Sequence, residues 1–136
     1  MTDINAAIAA AASGMRAQTV RMRIAAENVA NANSAGADPN QDPFRRRIPL
    51  LESTTLASGA RGVHVRGAAY DMSEFRQEYN PSHPAADANG YVQLPNVDTL
   101  VEMMDLREAT RAYEANLNMI EAARTMTNRA LDLLRR

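Results

Sequence analysis

The sequence predicts a mainly α protein in which long N- and C-terminal helices form an antiparallel, coiled-coil-like pair beside a small β or irregular middle region. Three observations carry this. From Pro95 to Arg136 there is no glycine and no proline after the first residue, and an apolar pattern persists for about eleven helical turns. The segment from about Asp3 to Asn33 carries a similar pattern, with Gly14 its only glycine. All six prolines and the other five glycines lie between Gly36 and Pro95, where they forbid regular helix and favour turns. The boundaries fall near Ser34 and Asn96, giving an N-terminal helix in 1–34, a β-rich or irregular region with an extended arm in 35–96, and a C-terminal helix in 97–136.

In the first segment Thr2 or Asp3 stands where a helix cap belongs. One seam at steps of three and four runs Ile4, Ile8, Ala11, Met15, Gln18, Met22, Ala25, Val29, and a second runs Ala6, Ala10, Ser13, Ala17, Val20, Ile24. The Asn-rich end, Glu27 to Ser34, suits a helix terminus, because Asn tolerates left-handed backbone.

In the middle, Phe44 to Leu51 reads as an edge strand, since Pro49 cannot donate to a ladder. The Arg45, Arg46, Arg47 run reads as a solvated or acid-facing surface rather than a phosphate site. Val63 and Val65 alternate with His64 and Arg66 as a short strand, Tyr70 to Tyr79 offers another, and Tyr79 to Asn96 reads as an extended, turn-filled arm.

In the last segment Asp98 is placed to cap a helix, with acids early and arginines late along the dipole. From Met103, steps of three and four reach Leu106, Thr110, Tyr113, Leu117, Ile120, Arg124, Thr127, Leu131 and Leu134. A second stripe runs Ala109, Ala112, Asn116, Met119, Ala123, Met126, Ala130, Leu133. A helix from Asp98 to Arg136 is roughly 58 Å long. Each terminal helix thus has two seams, and the chain supplies only one other long helix to cover them. Another chain is the expected partner, with helical order in both ends expected to form only on assembly. An antiparallel pair with level ends puts Arg16 beside Glu121 and Arg23 beside Glu114.

Charge and motif content narrow the chemistry. Net charge is -1, with all 15 basic residues arginine among 16 acids, a balance that argues against nucleic-acid binding. The absence of cysteine excludes disulfides and thiolate metal ligands. No stretch is long and apolar enough to span a bilayer, and the start, with Asp3 and no basic residue before Arg16, fails as a cleaved signal peptide. No phosphate-binding loop, dinucleotide fingerprint or nucleophile elbow is present. Of the two histidines, His83 with Asp87 makes only a two-ligand pair. No catalytic, cofactor-binding or metal residues are expected, and the function is not enzymatic.

Three stretches resemble the axial protein family of the bacterial flagellum, which includes rod, hook and hook-associated proteins. Ser13 to Ser34 is similar to that family's N-terminal helix signature with its Asn-Val-Ala-Asn run, and Arg107 to Met126 to its C-terminal helix with a Tyr-Glu-Ala-Asn core. Tyr79 to Asp98, a Pro-Ser-His-Pro arm running into Gly-Tyr-Val and Pro-Asn-Val, narrows the likeness to the rod proteins. Ser34-Ala35-Gly36 stands where many relatives have Thr-x-Gly-Tyr, so the Tyr is missing. The resemblance implies a structural subunit of a hollow rod that crosses the periplasm, transmits torque, encloses the export channel, and is exported by the flagellar type III apparatus without a cleaved signal. The implied partners are further copies, other rod proteins and the export gate or adaptor ring, with no nucleic acid and no membrane insertion. Another rod or hook component, or an Arg-rich helical RNA-binding or adaptor protein, is the alternative. Interface candidates are Met15, Met22, Asn28, Val29 and Asn31 in the first helix, and Leu106, Tyr113, Asn116, Leu117, Ile120, Leu131 and Leu134 in the last.

Overall fold

A computed structural model describes residues 2–136, in the order α1 Thr2–Ala30, β1 Arg47–Thr55, β2 Arg61–Tyr70, β3 Arg76–Tyr79, β4 Tyr91–Leu94 and α2 Thr99–Leu134. Asp98 starts α2 as its position predicts: its backbone is extended and its carboxylate accepts from the Leu100 amide at 3.0 Å. The last carbonyls of α1 lead into a turn, where Asn31 donates its side-chain amide back to the Glu27 carbonyl at 2.9 Å. The loop that follows closes through the Phe44 amide on the Ser34 carbonyl at 3.0 Å.

The expected class needs correction. Helix makes up 48% of the chain and strand 20%, the strands forming two antiparallel two-stranded sheets. The middle is therefore a folded β layer, not a small irregular insert in a mainly helical protein. β1 and β2 form a hairpin whose register slips between Leu50 and Leu51, leaving Arg66 as the extra residue of a bulge. β3 and β4 pair from Arg76 with Leu94 to Tyr79 with Tyr91. The stretch expected as an extended arm is thus a second hairpin. Gly90 makes its turn possible, with φ +84 and no room for a side chain: a Cβ there would sit 2.8 Å from the Tyr79 ring. Tyr79 and Tyr91 meet edge to face at 5.4 Å.

The β1–β2 hairpin lies along α1 and covers a seam the sequence reading assigned to another chain. Its tip is fixed by Ser13, whose hydroxyl donates to the Ala10 carbonyl at 2.7 Å and accepts from the Val63 amide at 3.2 Å. A Cβ at Gly62 would meet that hydroxyl at 2.7 Å, so the strand approaches α1 as closely as a glycine allows. Ala17 and Ile24 are buried on the same helix, as are Ala11 and Ala25. α1 is enclosed between the hairpin and α2.

The two helices run antiparallel, but not in the register expected from charges. Gly14 lies against Asn116, Met22 beside Thr110 and Asn28 beside Glu102. Facing residue numbers therefore sum to about 131, not 137, a displacement of several residues or roughly 9 Å along the axis. Arg16 and Arg23 meet neither Glu121 nor Glu114 in an ion pair, and Arg23 instead lies 3.8 Å from Glu27. Exposed pairs contribute only about 0.2 to 1 kcal/mol, too little to set register against a buried junction and a glycine-mediated close approach.

Candidate functional site

Two features stand out: a polar junction inside the chain and an open apolar surface outside it. The junction forms where the N-terminal residues of β1 pass between α1 and α2. Asn28, 1% exposed, holds the Arg47 backbone from both sides, accepting from its amide at 3.0 Å and donating to its carbonyl at 2.9 Å. The same Asn28 amide donates to Glu102 Oε2 at 3.1 Å. Glu102, 2% exposed, also accepts from Arg46 Nε. The Arg46 guanidinium further lies 3.4 Å from Asp71 and 3.5 Å from Asp105. Every charged group here is paired, as burial demands.

Each member of the Arg45, Arg46, Arg47 run goes to a different element. Arg45 stacks 4.1 Å over the Phe75 ring and donates to the Asp71 and Ser73 carbonyls. Arg47 pairs with Glu27 of α1 at 3.2 Å. Asn96 completes the frame, accepting from the Arg46 amide at 2.8 Å and donating to the Asp71 carbonyl at 2.9 Å. The run is acid-facing at Arg46 and Arg47, while Arg45 meets an aromatic ring and backbone carbonyls. Burial opposes the Arg46 charge, but Glu102 and Asp71 outweigh it and hold its pKa above the ordinary value. Hydrogen bonds from the Ser73 amide and hydroxyl, with help from Arg46, hold the Asp71 carboxyl below the usual range against partial desolvation.

Among the described residues, no cluster of three or more His, Cys, Asp or Glu is placed to hold a metal ion. His83 and Asp87 are occupied with turns: His83 Nδ1 accepts from the Ala85 amide at 3.0 Å, and Asp87 accepts from the Asn89 and Tyr91 amides at 2.8 and 2.9 Å. No helix among the described residues is long and apolar enough to cross a membrane.

The interface candidates divide. Asn28 and Asn31 are engaged within the chain, Asn31 also accepting from the Ser34 hydroxyl. Met22 accepts from the Thr110 hydroxyl at 3.5 Å. Met15, Val29, Leu106, Tyr113, Asn116 and Ile120 are half-buried, while Leu117, Leu131 and Leu134 are exposed. The seam that α2 turns toward α1 runs Glu102, Leu106, Ala109, Tyr113, Asn116, Ile120, Ala123, Thr127, between the two stripes expected from sequence. Sequence reasoning missed Glu102 and Arg46 as a structural pair. The available signal was positional, because stepping back from Ala109 through Leu106 lands an acid on an apolar seam.

Outside, every exposed large hydrophobic residue found on a helix among the described residues belongs to α2, including Leu100, Met103, Met104, Met119 and Met126. α1 offers none, because both its sides are covered. A monomer rarely leaves this much apolar helix surface open without a partner for it.

A family model described as the C-terminal part of the flagellar basal body rod FlgEFG proteins matches residues 88–133, the β4 approach and most of α2. The chain is 43% identical to the flagellar basal-body rod protein FlgC of Agrobacterium fabrum, covering 99% of this chain and 98% of that one. It is 38% identical to the Bacillus subtilis FlgC over 90% of this chain and 92% of that one, and 35% identical to the Salmonella typhimurium FlgC at the same coverage. These relatives match nine-tenths or more of the chain, so the chain belongs to the FlgC family of flagellar basal-body rod proteins, as a structural subunit.

Proposed function

We propose that the chain works as two rod-forming helices, in 1–34 and 97–136, held in fixed register by the folded middle of 35–96. Neighbouring subunits cover the outer face of α2, and the resulting hollow rod crosses the periplasm, transmits torque and encloses the export channel. Its neighbours are other rod proteins, further copies of itself, and the export gate or adaptor ring at the rod base. It reaches the rod through the flagellar type III apparatus. The observation that carries this reading is the one-sided exposure: apolar residues unmatched within the chain run the length of α2 and are absent from α1. The polar junction supports it, since a subunit that passes on torque needs its two helices fixed to its body.

The test replaces Met119 and Met126, both exposed on α2, with Glu. The purified double variant is expected to unfold at an unchanged urea midpoint, while swimming and recovery of the chain in isolated basal bodies are lost. Normal recovery in basal bodies refutes the assignment of this face to assembly.

A further inference from the structure

The outer side of α2 carries a stripe that complements itself. Ala112, Ala115, Met119, Ala122, Met126 and Leu133 keep to steps of three, four or seven, roughly a third of a turn round from the seam that packs on α1. All but the half-buried Ala112 are exposed. Large residues fall every seventh position from Met119 to Leu133, with alanine between them until Arg129 takes its place. A repeat of seven is the spacing at which two helices wind together along one seam. Along one edge of the stripe runs a polar row, Arg111, Asn118, Thr125 and Asp132. Arg111 and Asp132, like Glu108 and Arg129, are in no ion pair among the described residues.

We infer that two copies of the chain pair through this stripe with their α2 helices antiparallel. That placement sets Met119 of one copy on Ala122 of the other and Met126 on Ala115, so each flexible thioether fills the space an alanine leaves. It also brings Arg111 against Asp132 and Asn118 against Thr125, each twice by symmetry. Each end of the seam then gathers two acids and two arginines, Glu108 and Arg111 from one copy, Arg129 and Asp132 from the other. A parallel pair would stack methionine on methionine and alanine on alanine, and would set Arg129 against Arg129 and Asp132 against Asp132. Sliding the antiparallel pair by seven residues parts Arg111 from Asp132. The strip from Ala112 to Leu133 is about 32 Å long and about 10 Å wide, so the two copies together cover roughly 650 Å², short of the ~1,200 Å² of stable complexes. The pair is accordingly weak, and it parts at the low micromolar concentrations of an unfolding measurement. Being two-fold it closes on itself, unlike contacts that repeat along a rod, and it holds Met119 and Met126 away from other neighbours while it lasts.

Sedimentation equilibrium of the purified full chain, from about 1 µM to about 500 µM, is expected to show monomer giving way to dimer. Arg111→Asp and Asp132→Arg should each weaken the dimer about fivefold or more, and their combination should return it to within about twofold. Growth past dimer without a plateau, or a combination as weak as either change alone, overturns the inference. Orientation is read by disulfide trapping, since the chain has no cysteine of its own. Ala115 and Met126 are both exposed, so the fold tolerates a thiol at either. A mixture of Ala115→Cys and Met126→Cys chains is expected to cross-link on oxidation, and neither variant with itself, because antiparallel copies hold each position about 16 Å from its equivalent. Each variant cross-linking with itself but not in the mixture marks a parallel pair and overturns the inference. A chain that stays monomeric throughout overturns it too, leaving the stripe to rod neighbours alone. The rod reading fails separately, on normal recovery of the Met119 and Met126 double Glu variant in basal bodies.

Discussion

Removing Arg46 is expected to be the most damaging single change to the isolated subunit. In Arg46→Met, Glu102 stays 2% exposed with only the Asn28 amide at 3.1 Å for company. Breaking a buried pair by deleting one partner costs about 3 to 5 kcal/mol. Because the Arg46 side chain is 20% exposed, water screens part of the interaction, and the low end, about 3 kcal/mol, applies. Glu102→Gln keeps the shape and leaves Arg46 with Asp71 and Asp105, so about 1 to 2 kcal/mol is expected. The double variant Arg46→Met with Glu102→Leu replaces both charges by apolar groups, and its loss should fall short of the sum of Arg46→Met and Glu102→Leu by about 1 to 3 kcal/mol. Urea unfolding of the monomer followed by far-UV circular dichroism measures all four variants. Against a total of about 5 to 15 kcal/mol for a domain, each shift is resolvable. A loss below about 1 kcal/mol in Arg46→Met, or strict additivity in the cycle, refutes the junction as the element that fixes register. An unaltered chain with no cooperative transition would refute closure of the helix pair within one subunit.

Three further outcomes follow from the same geometry. Asp71 has its folded pKa depressed, so its stabilisation is fully present above the ordinary carboxylate value of 3.8 and is lost as pH falls through the lower folded value; acid titration of stability should be flatter below pH ~4 in Asp71→Asn. Gly90→Ala forces a side chain into left-handed backbone and against the Tyr79 ring, and should cost about 1 to 3 kcal/mol, with faster hydrogen exchange confined to β3 and β4. Gly14→Val pushes a branched side chain into Asn116, whose amide nitrogen lies 2.6 Å from an ideal Cβ there; a loss of about 1 to 3 kcal/mol should be partly restored by adding Asn116→Ala, and no restoration would place the clash elsewhere.

The helices were legible because their signals are local. Asp98 caps where an acid precedes a long apolar pattern, and glycine and proline are confined to the middle. The β layer was obscured because its strands break their own patterns. Pro49 sits inside β1, Gly62 and Gly67 inside β2, and β3 reads Arg-Gln-Glu-Tyr with no apolar alternation. The second hairpin is held by the Gly90 turn and a tyrosine pair, neither of which announces a strand in a proline-rich stretch. Helix register was misjudged because visible charge pairs were weighed, while the determinants, Asn28 with Glu102 and Gly14 with Asn116, are separated by 74 and 102 positions and gain meaning only once the chain is folded. The same distance hid the partners of Arg46. The candidate surface on α2 was legible as an excess of stripes, but that α1 needs no outside cover depended on the β1–β2 hairpin docking along it, and the sequence showed the strands near Ile48 and Val63 without showing where they pack.

The one-sided exposure of α2 also sets how selection and screening would see this subunit. A screen for soluble expression would reward polar replacements at Met103, Met119 or Leu133, since each removes apolar surface from water at no cost to the interior. A screen for motility would discard the same variants. Changes at Ala17, Asn28 or Glu102 would fail both. Scoring every position under the two readouts and subtracting would draw the outline of the neighbouring subunits on α2 without any image of the rod, because only there should the two scores carry opposite signs.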